Sequence, residues 1–179
     1  MSGEHATTDG SLFEGLARAF NPAGAFANDL RAAGFDMNAP RLRYPSPVLL
    51  AVLDVIHRHA FPELSREEAH RQAGRRMVKS FLDTIFGKVI HTLLRMLGLR
   101  RFLLRLPKIA PMGTTGLEIQ VVEEEARAIR ITFRSSASHS ADFVAGAVEG
   151  AAEVVSDHFR VEVTRREPTH YELLVSGLR

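Results

Sequence analysis

The sequence predicts an α+β fold, with N-terminal helices packed on an antiparallel sheet and a β-β-α-β-β unit completing the chain. Three observations predict it. Up to about residue 108, apolar positions recur at helical spacing between capping residues. From residue 117 onward they alternate with the period of two expected of strands. Runs of strands following runs of helices point to a segregated α+β protein rather than alternating α/β units. The composition, 45% hydrophobic and 25% charged, is that of a packed domain rather than a disordered chain. Cysteine is absent, which excludes disulfides, thiolate metal sites, iron–sulfur clusters and a cysteine nucleophile.

Taken in order, residues 1–10 are small and polar and are expected to form a disordered tail, leaving 11–179 as one domain, mainly helical over 11–108 and β-β-α-β-β over 109–179. Leu12 to Phe20 is apolar enough to dock as a short strand or a helical turn. Asn21-Pro22 reads as a cap and first-turn pair and Gly34 as the residue after a helix end, which places a helix at about 22–33. Each proline between Pro40 and Pro47 biases its predecessor away from αR, so that stretch is extended.

Ser46-Pro47 repeats the cap-plus-proline start, and Val48 through Ile56 carry a helix to His59, closed by Phe61-Pro62. Ser65 and Glu68 form a capping box. It opens a long helix with Met77, Phe81, Ile85, Val89, Leu93 and Leu97 at unbroken i+4 steps. Gly74 and Gly87 lie within it, each costing about 1 kcal/mol against alanine, so a break or a close contact is expected near Gly87. Pro111 to Gly116 reads as a flexible loop. Two hairpins follow, 117–122 with 129–133 and 159–164 with 171–175, around a helix at about 141–158 capped by Ser140.

The net charge of +2 hides an uneven distribution: residues 41–108 hold fourteen bases against five acids. Such a segment suits nucleic acid, phosphate or anionic lipid, but surface arginines usually line solvated helix faces, so nucleic acid is not an expected partner. The start lacks the basic and apolar regions of a signal peptide, and no apolar run is long enough to span a bilayer. A cytoplasmic protein without membrane insertion is the expectation.

Several segments occur together in a recognisable set. They are Leu12-Phe13 with Gly15-Leu16, Ala33-Gly34-Phe35-Asp36, Tyr44-Pro45, Phe61-Pro62 through Arg66-Glu67-Glu68-Ala69 to Gly74-Arg75-Arg76, Gly98 with Leu103 to Pro107, and Phe143 with Gly146 and Glu149-Gly150. Together they resemble a paralogous family of unknown function expanded in myxobacteria. Ser138 to Val175 is also similar to the four-vinyl-reductase and haem–nitric-oxide-associated small-molecule-binding domains. This resemblance implies an α+β ligand-binding or signalling module, often dimeric, and no reaction. The cysteines of the four-vinyl-reductase pattern are missing here, which removes a metal site borrowed from it.

Catalytic and metal constellations are weak. His57 and His59 point about 200° apart on a helix and do not chelate one ion together. His91, beside the apolar stripe, is the best candidate for a haem axial ligand, yet no second histidine or orienting carboxylate accompanies it. Ser138-His139-Ser140-Ala141-Asp142 contains the letters of a hydrolytic triad, but triads assemble across space and there is no G-x-S-x-G elbow. Arg101 and Arg105 share a helical face suited to phosphate. Gly146 and Gly150 make a small-residue face for close packing or an interface. The expectation is therefore a non-enzymatic sensory or regulatory module without a metal or obligatory cofactor, acting as a homodimer or through a partner protein. Its small apolar ligand lies between the long helix and the sheet, contacting Met77, Phe81, Ile85 and Val89 with His91 and Arg105 at the polar rim. The alternatives are a solid-cored interaction module and a haem or phosphate binder.

Overall fold

The structure, a computed structural model, describes residues 6–124, 128–155 and 159–178. It opens on strand β1 (Thr7–Asp9) and helix α1 (Gly10–Phe20). Helix α2 (Ala25–Ala32), strand β2 (Arg43–Pro45) and helix α3 (Ser46–Ala60) follow. β1 pairs antiparallel with β2, Thr8 standing opposite Tyr44. The tail expected over residues 1–10 is thus corrected from Ala6 onward: Ala6 and Thr8 are buried, and residues 1–5 lie outside the described residues. A three-residue strand is too short to show a period, so no pattern announced it.

The other edge of β1 is held by residues 113–115. The Asp9 N–H donates to the Gly113 carbonyl at 2.7 Å and the Thr115 N–H to the Thr7 carbonyl at 2.9 Å. The segment read as a flexible loop is therefore pinned, beginning with a 3₁₀ turn at Ala110–Met112. Asp9 caps α1, its Oδ1 accepting the Ser11 N–H at 2.9 Å. Asn21 does not start the next helix. It ends α1 in the left-handed region at φ 43°, a conformation asparagine tolerates better than most residues, and α2 begins later than predicted.

Helix α4 (Arg66–Phe81) starts as its sequence requires, Ser65 Oγ accepting the Glu68 N–H at 3.2 Å. It does not run on to Leu97. The chain leaves the helix at Leu82 and restarts as α5 (Ile85–Leu104), with Thr84 Oγ1 accepting the Gly87 N–H at 3.0 Å and donating to the Phe81 carbonyl. Gly98, at φ 71° and ψ 164°, kinks α5 through a conformation that side chains with a Cβ rarely adopt. Helix α6 (Leu106–Ile109) leads to the turn before the sheet.

The sheet consists of β3 (Leu117–Glu124), β4 (Ala128–Ser135), β5 (Arg160–Glu167) and β6 (His170–Ser176), with α7 (Ala141–Val154) between its hairpins. Strand order is β3-β4-β6-β5, all antiparallel. Both hairpins fall where the sequence predicts them and the helix starts at Ala141 as expected, but it ends at Val154, and residues 156–158 of its expected span lie outside the described residues. Ile129, Ile131 and Phe133 of β4 and Tyr171, Leu173 and Val175 of β6 all point to one buried face. Phe133 stacks on its register partner Tyr171 with centroids 4.6 Å apart.

Two apolar clusters form the core. One gathers Phe13, Leu16, Tyr44, Leu53, Ile56 and Met77 from the N-terminal elements. The other gathers Leu94, Leu99, Leu103 and the inner sheet face. Helix α7 stands between them, giving Phe143 to the first and Ala145 and Val148 to the second. The α+β class holds, with one refinement: α7 is interposed between α4 and the β5–β6 half of the sheet. Its glycine face is spent on α4. A Cβ at Gly146 would overlap the Arg71 carbonyl, one at Gly74 the Phe143 carbonyl, and one at Gly150 would stand 2.7 Å from the Arg75 carbonyl. Gly146 and Gly150 thus serve close packing within the chain, on a helix rather than on the sheet.

Candidate functional site

The two clusters do not meet completely. At their seam lies a cavity of about 270 Å³, walled by α4, α5, α7, β3, β4 and β6 and by residues flanking the pinned N-terminal strand. Ile90, Val144 and Ala151 touch both clusters and line it. Its wall is overwhelmingly aliphatic and aromatic, with Thr8, Thr114, His139, Ser140 and Tyr171 as the polar exceptions. No lysine, arginine or carboxylate is among the lining residues. The volume lies just below the roughly 300–1,000 Å³ range of ligand pockets.

Two polar features meet the cavity where the chain enters α7. Ser140 caps that helix, its Oγ accepting the Phe143 N–H at 3.2 Å. The same hydroxyl lies 3.0 Å from Nδ1 of His70, whose Nε2 lies 3.1 Å from Asp54 Oδ1. With its proton on Nε2, the His70 ring donates to Asp54 and accepts the serine hydroxyl, which satisfies every group in the chain of bonds. Arg66 holds Asp54 with two further bonds, at 2.7 and 3.0 Å. Burial pushes the His70 pKa below its ordinary value, and Asp54 only partly opposes it. Burial raises the Asp54 carboxyl, but hydrogen bonds and charge from Arg66, then His70, outweigh this and leave it below the ordinary range.

The second feature is His139. Its backbone N–H donates to the Pro168 carbonyl at 2.9 Å, His139 is among the residues lining the cavity, and its Nε2 is buried without a hydrogen-bond partner. Burial also lowers its pKa, so the ring is neutral near pH 7. Tyr171, almost wholly buried against the same space, has its phenol pKa pushed up by burial and stays protonated.

Of the residues expected at the pocket, Met77 and Phe81 line it. Ile85 and Val89 do not: Ile85 is 91% exposed, and both flank a separate surface hollow beside Leu42. His91 is half-buried, with an unpartnered Nε2, and Arg105 is exposed. Neither is a lining residue of the cavity. The reason is geometric. Steps of four residues advance about 40° beyond a full turn, so five such steps wander about 200° around a helix, and the interruption at 82–84 adds its own rotation. The lining residues that the sequence does not announce include Leu94, Leu99 and Phe102 on α5, and His139, which stands in the sequence only among the triad letters. Its position directly before a capping serine was the available signal.

Residues 4–176 match the family of proteins of unknown function DUF2378. The chain belongs to this family. No curated protein sequence matches this DUF2378 chain. Among solved structures, it is similar to an H-NOX protein from S. oneidensis in the Fe(II)NO ligation state, at 11% identity and TM-score 0.70 over 96% of this chain and 99% of that one. It is also similar to a Cs H-NOX mutant carrying 4-cyano-L-phenylalanine, at 15% identity and TM-score 0.67 over 92% and 91%. A further likeness, at 15% identity and TM-score 0.65 over 93% and 97%, is to a structure concerned with haem redox potential and porphyrin distortion. The shared fold spans nearly the whole chain, beyond the Ser138–Val175 stretch that resembles the small-molecule-binding domains.

Haem does not fit the space this DUF2378 chain provides. A dry cavity of about 150 Å³ accepts benzene. By proportion, 270 Å³ takes a body of about eleven non-hydrogen atoms, several times smaller than a porphyrin. Two propionates would face no cation, and the imidazole expected to hold iron, His91, is not among the lining residues. No group of three metal-ligating side chains occurs among the described residues, and no helix there is long and apolar enough to cross a membrane.

Proposed function

We propose that this DUF2378 chain is a non-enzymatic sensory or regulatory module that binds a small, largely apolar molecule at the seam between its two cores. The observation that carries this reading is the cavity itself, a gap bounded by both clusters that a solid-cored interaction protein would have closed. Occupancy bears on α5, whose Ile90, Leu94 and Leu99 face the cavity while Ile85 and Met96 stand exposed on its outside. That arrangement provides a route from ligand to a partner protein or a second copy.

The test compares native and denatured masses of freshly purified protein, wild type and Val144→Phe. A reproducible mass excess in the wild type that the space-filling variant loses, while its melting temperature holds or rises, is the expected result. A bare wild type that also fails to take up added alkylbenzenes would overturn the reading. Hemin added to the protein is expected to give no Soret shift that depends on His91 or His139.

A second reading has one observation in its favour. Ser140, His70 and Asp54 stand in the order nucleophile, base and orienting carboxylate beside an apolar cavity, as an acyl hydrolase would need. The serine oxygen is already engaged as a helix cap and Asp54 as the partner of Arg66, so the set is read as a brace joining α3, α4 and α7. No Ser140-dependent hydrolysis of p-nitrophenyl hexanoate is the expected outcome.

A further inference from the structure

The cavity's polar groups say what kind of molecule it takes, an inference that rests on the reading above. Ser140 is committed: its hydrogen goes to His70 and its oxygen receives the Phe143 amide. His139 differs. Three histidine nitrogens among the described residues are buried and unpartnered, those of His91, His139 and His170. His170 Nε2 stands 3.8 Å from a Glu172 oxygen, and only His139 lines the cavity. A buried imidazole nitrogen without a partner is expensive to leave so, and a ligand that supplies the missing bond recovers that loss.

The remaining wall fixes the ligand's charge. A carboxylate, phosphate or ammonium brought against it would lose its hydration and meet no opposite charge, whereas a hydroxyl or carbonyl needs one hydrogen bond. We propose that the cavity is a site for an uncharged amphiphile: a hydrocarbon body of about ten non-hydrogen atoms, scaled as above, carrying one hydroxyl or carbonyl head that hydrogen-bonds to Nε2 of His139. A neutral imidazole serves either head, donating to a carbonyl in one tautomer and accepting from a hydroxyl in the other. His139 is thereby assigned as the specificity-determining residue of the site.

Three probes of matched shape test this by isothermal titration calorimetry at pH 8 on the full chain: 3-phenylpropan-1-ol, n-butylbenzene and 3-phenylpropanoate. The alcohol and the hydrocarbon differ only by a terminal hydroxyl in place of a methyl. Wild type should bind both, and should bind the carboxylate most weakly. In His139→Phe, the alcohol should lose on the order of tenfold in affinity relative to the hydrocarbon, the size of one buried hydrogen bond. His139→Gln, which keeps a hydrogen-bonding side chain, should restore most of that loss. Thermal melts of both variants establish that they fold, and butylbenzene reports the intact cavity in each. An unchanged alcohol-to-hydrocarbon ratio in His139→Phe overturns the anchor while leaving the cavity reading standing. Tighter binding of the carboxylate than of the alcohol overturns the uncharged head. Failure of wild type to bind any of the three overturns the anchor and the cavity together.

Discussion

Helices α4 and α5 are consecutive in sequence and apolar at similar spacing, yet they are held in opposite ways. α4 is locked against α7. Backbone meets backbone at Gly74, Gly146 and Gly150, the buried His70 bridges to Ser140, and Arg71–Glu149, Arg75–Glu153 and Lys79–Glu153 run alongside. α5 carries a kink at Gly98, lines the cavity with one side and leaves Ile85 and Met96 in the open on the other. One helix is fixed by close backbone packing, and the other has one side on the cavity and one side in the open, the division on which the proposed sensory reading relies.

The lock between α4 and α7 is most sensitive at the glycine contact. Gly146→Val places a side chain into the Arg71 carbonyl, and because that obstacle is backbone it has no rotamer to yield. A loss of about 3 kcal/mol in urea unfolding is expected, with Gly74→Val similar.

Removal of the His70 side chain is the next largest effect. His70→Ala leaves the Ser140 hydroxyl hydrogen without its acceptor and removes one of the donors to Asp54, and should cost about 2 kcal/mol. The pH dependence has a definite sign. The unfolded chain protonates its histidines near 6.5, whereas burial keeps His70 and His139 neutral in the fold to lower pH. Stability is therefore full above that pH and falls as pH descends below it, with a further loss in more acid solution as Asp54 takes up its proton. The double variant His70→Gln/His139→Gln should flatten the upper part of that decline. A wild type whose urea midpoint is constant between pH 7 and 5 would contradict the assignment.

The smallest effects are expected on the exposed side of α5. Met96→Gln and Ile85→Lys remove side chains that contribute little to the folded chain, so each should change stability by less than about 0.5 kcal/mol. A larger loss on dilution, seen by sedimentation, would show that α5 is covered in solution.

Much of this architecture was legible where local chemistry decides the outcome. Ser65 and Glu68 marked the start of α4, Ser140 capped α7 as read, and alternation placed all four sheet strands. Where tertiary contacts decide, it was not. β1 has three residues and earns its place from partners far along the chain. Asn21 was compatible with either a cap or a left-handed end, and the hydrogen bond back to Ala17 settled it. The cavity residues were half legible: Met77 and Phe81 precede the interruption at 82–84, while Ile85, Val89 and His91 follow it and turn elsewhere. Thr84, whose hydroxyl spans the break, carried the signal in a position that periodicity alone overrides.

The pinned N-terminal strand bears on the order in which the molecule is built. Thr7 meets Thr115, 108 positions later, and both Thr8 and Thr114 line the cavity. At about 5–20 residues per second, a ribosome holds these two segments apart for many seconds, and the hollow has no complete wall until both are free. On the proposed reading, a hydrophobic guest present during that interval is enclosed as the fold closes around it, and purified protein carries a record of the cell in which it was made.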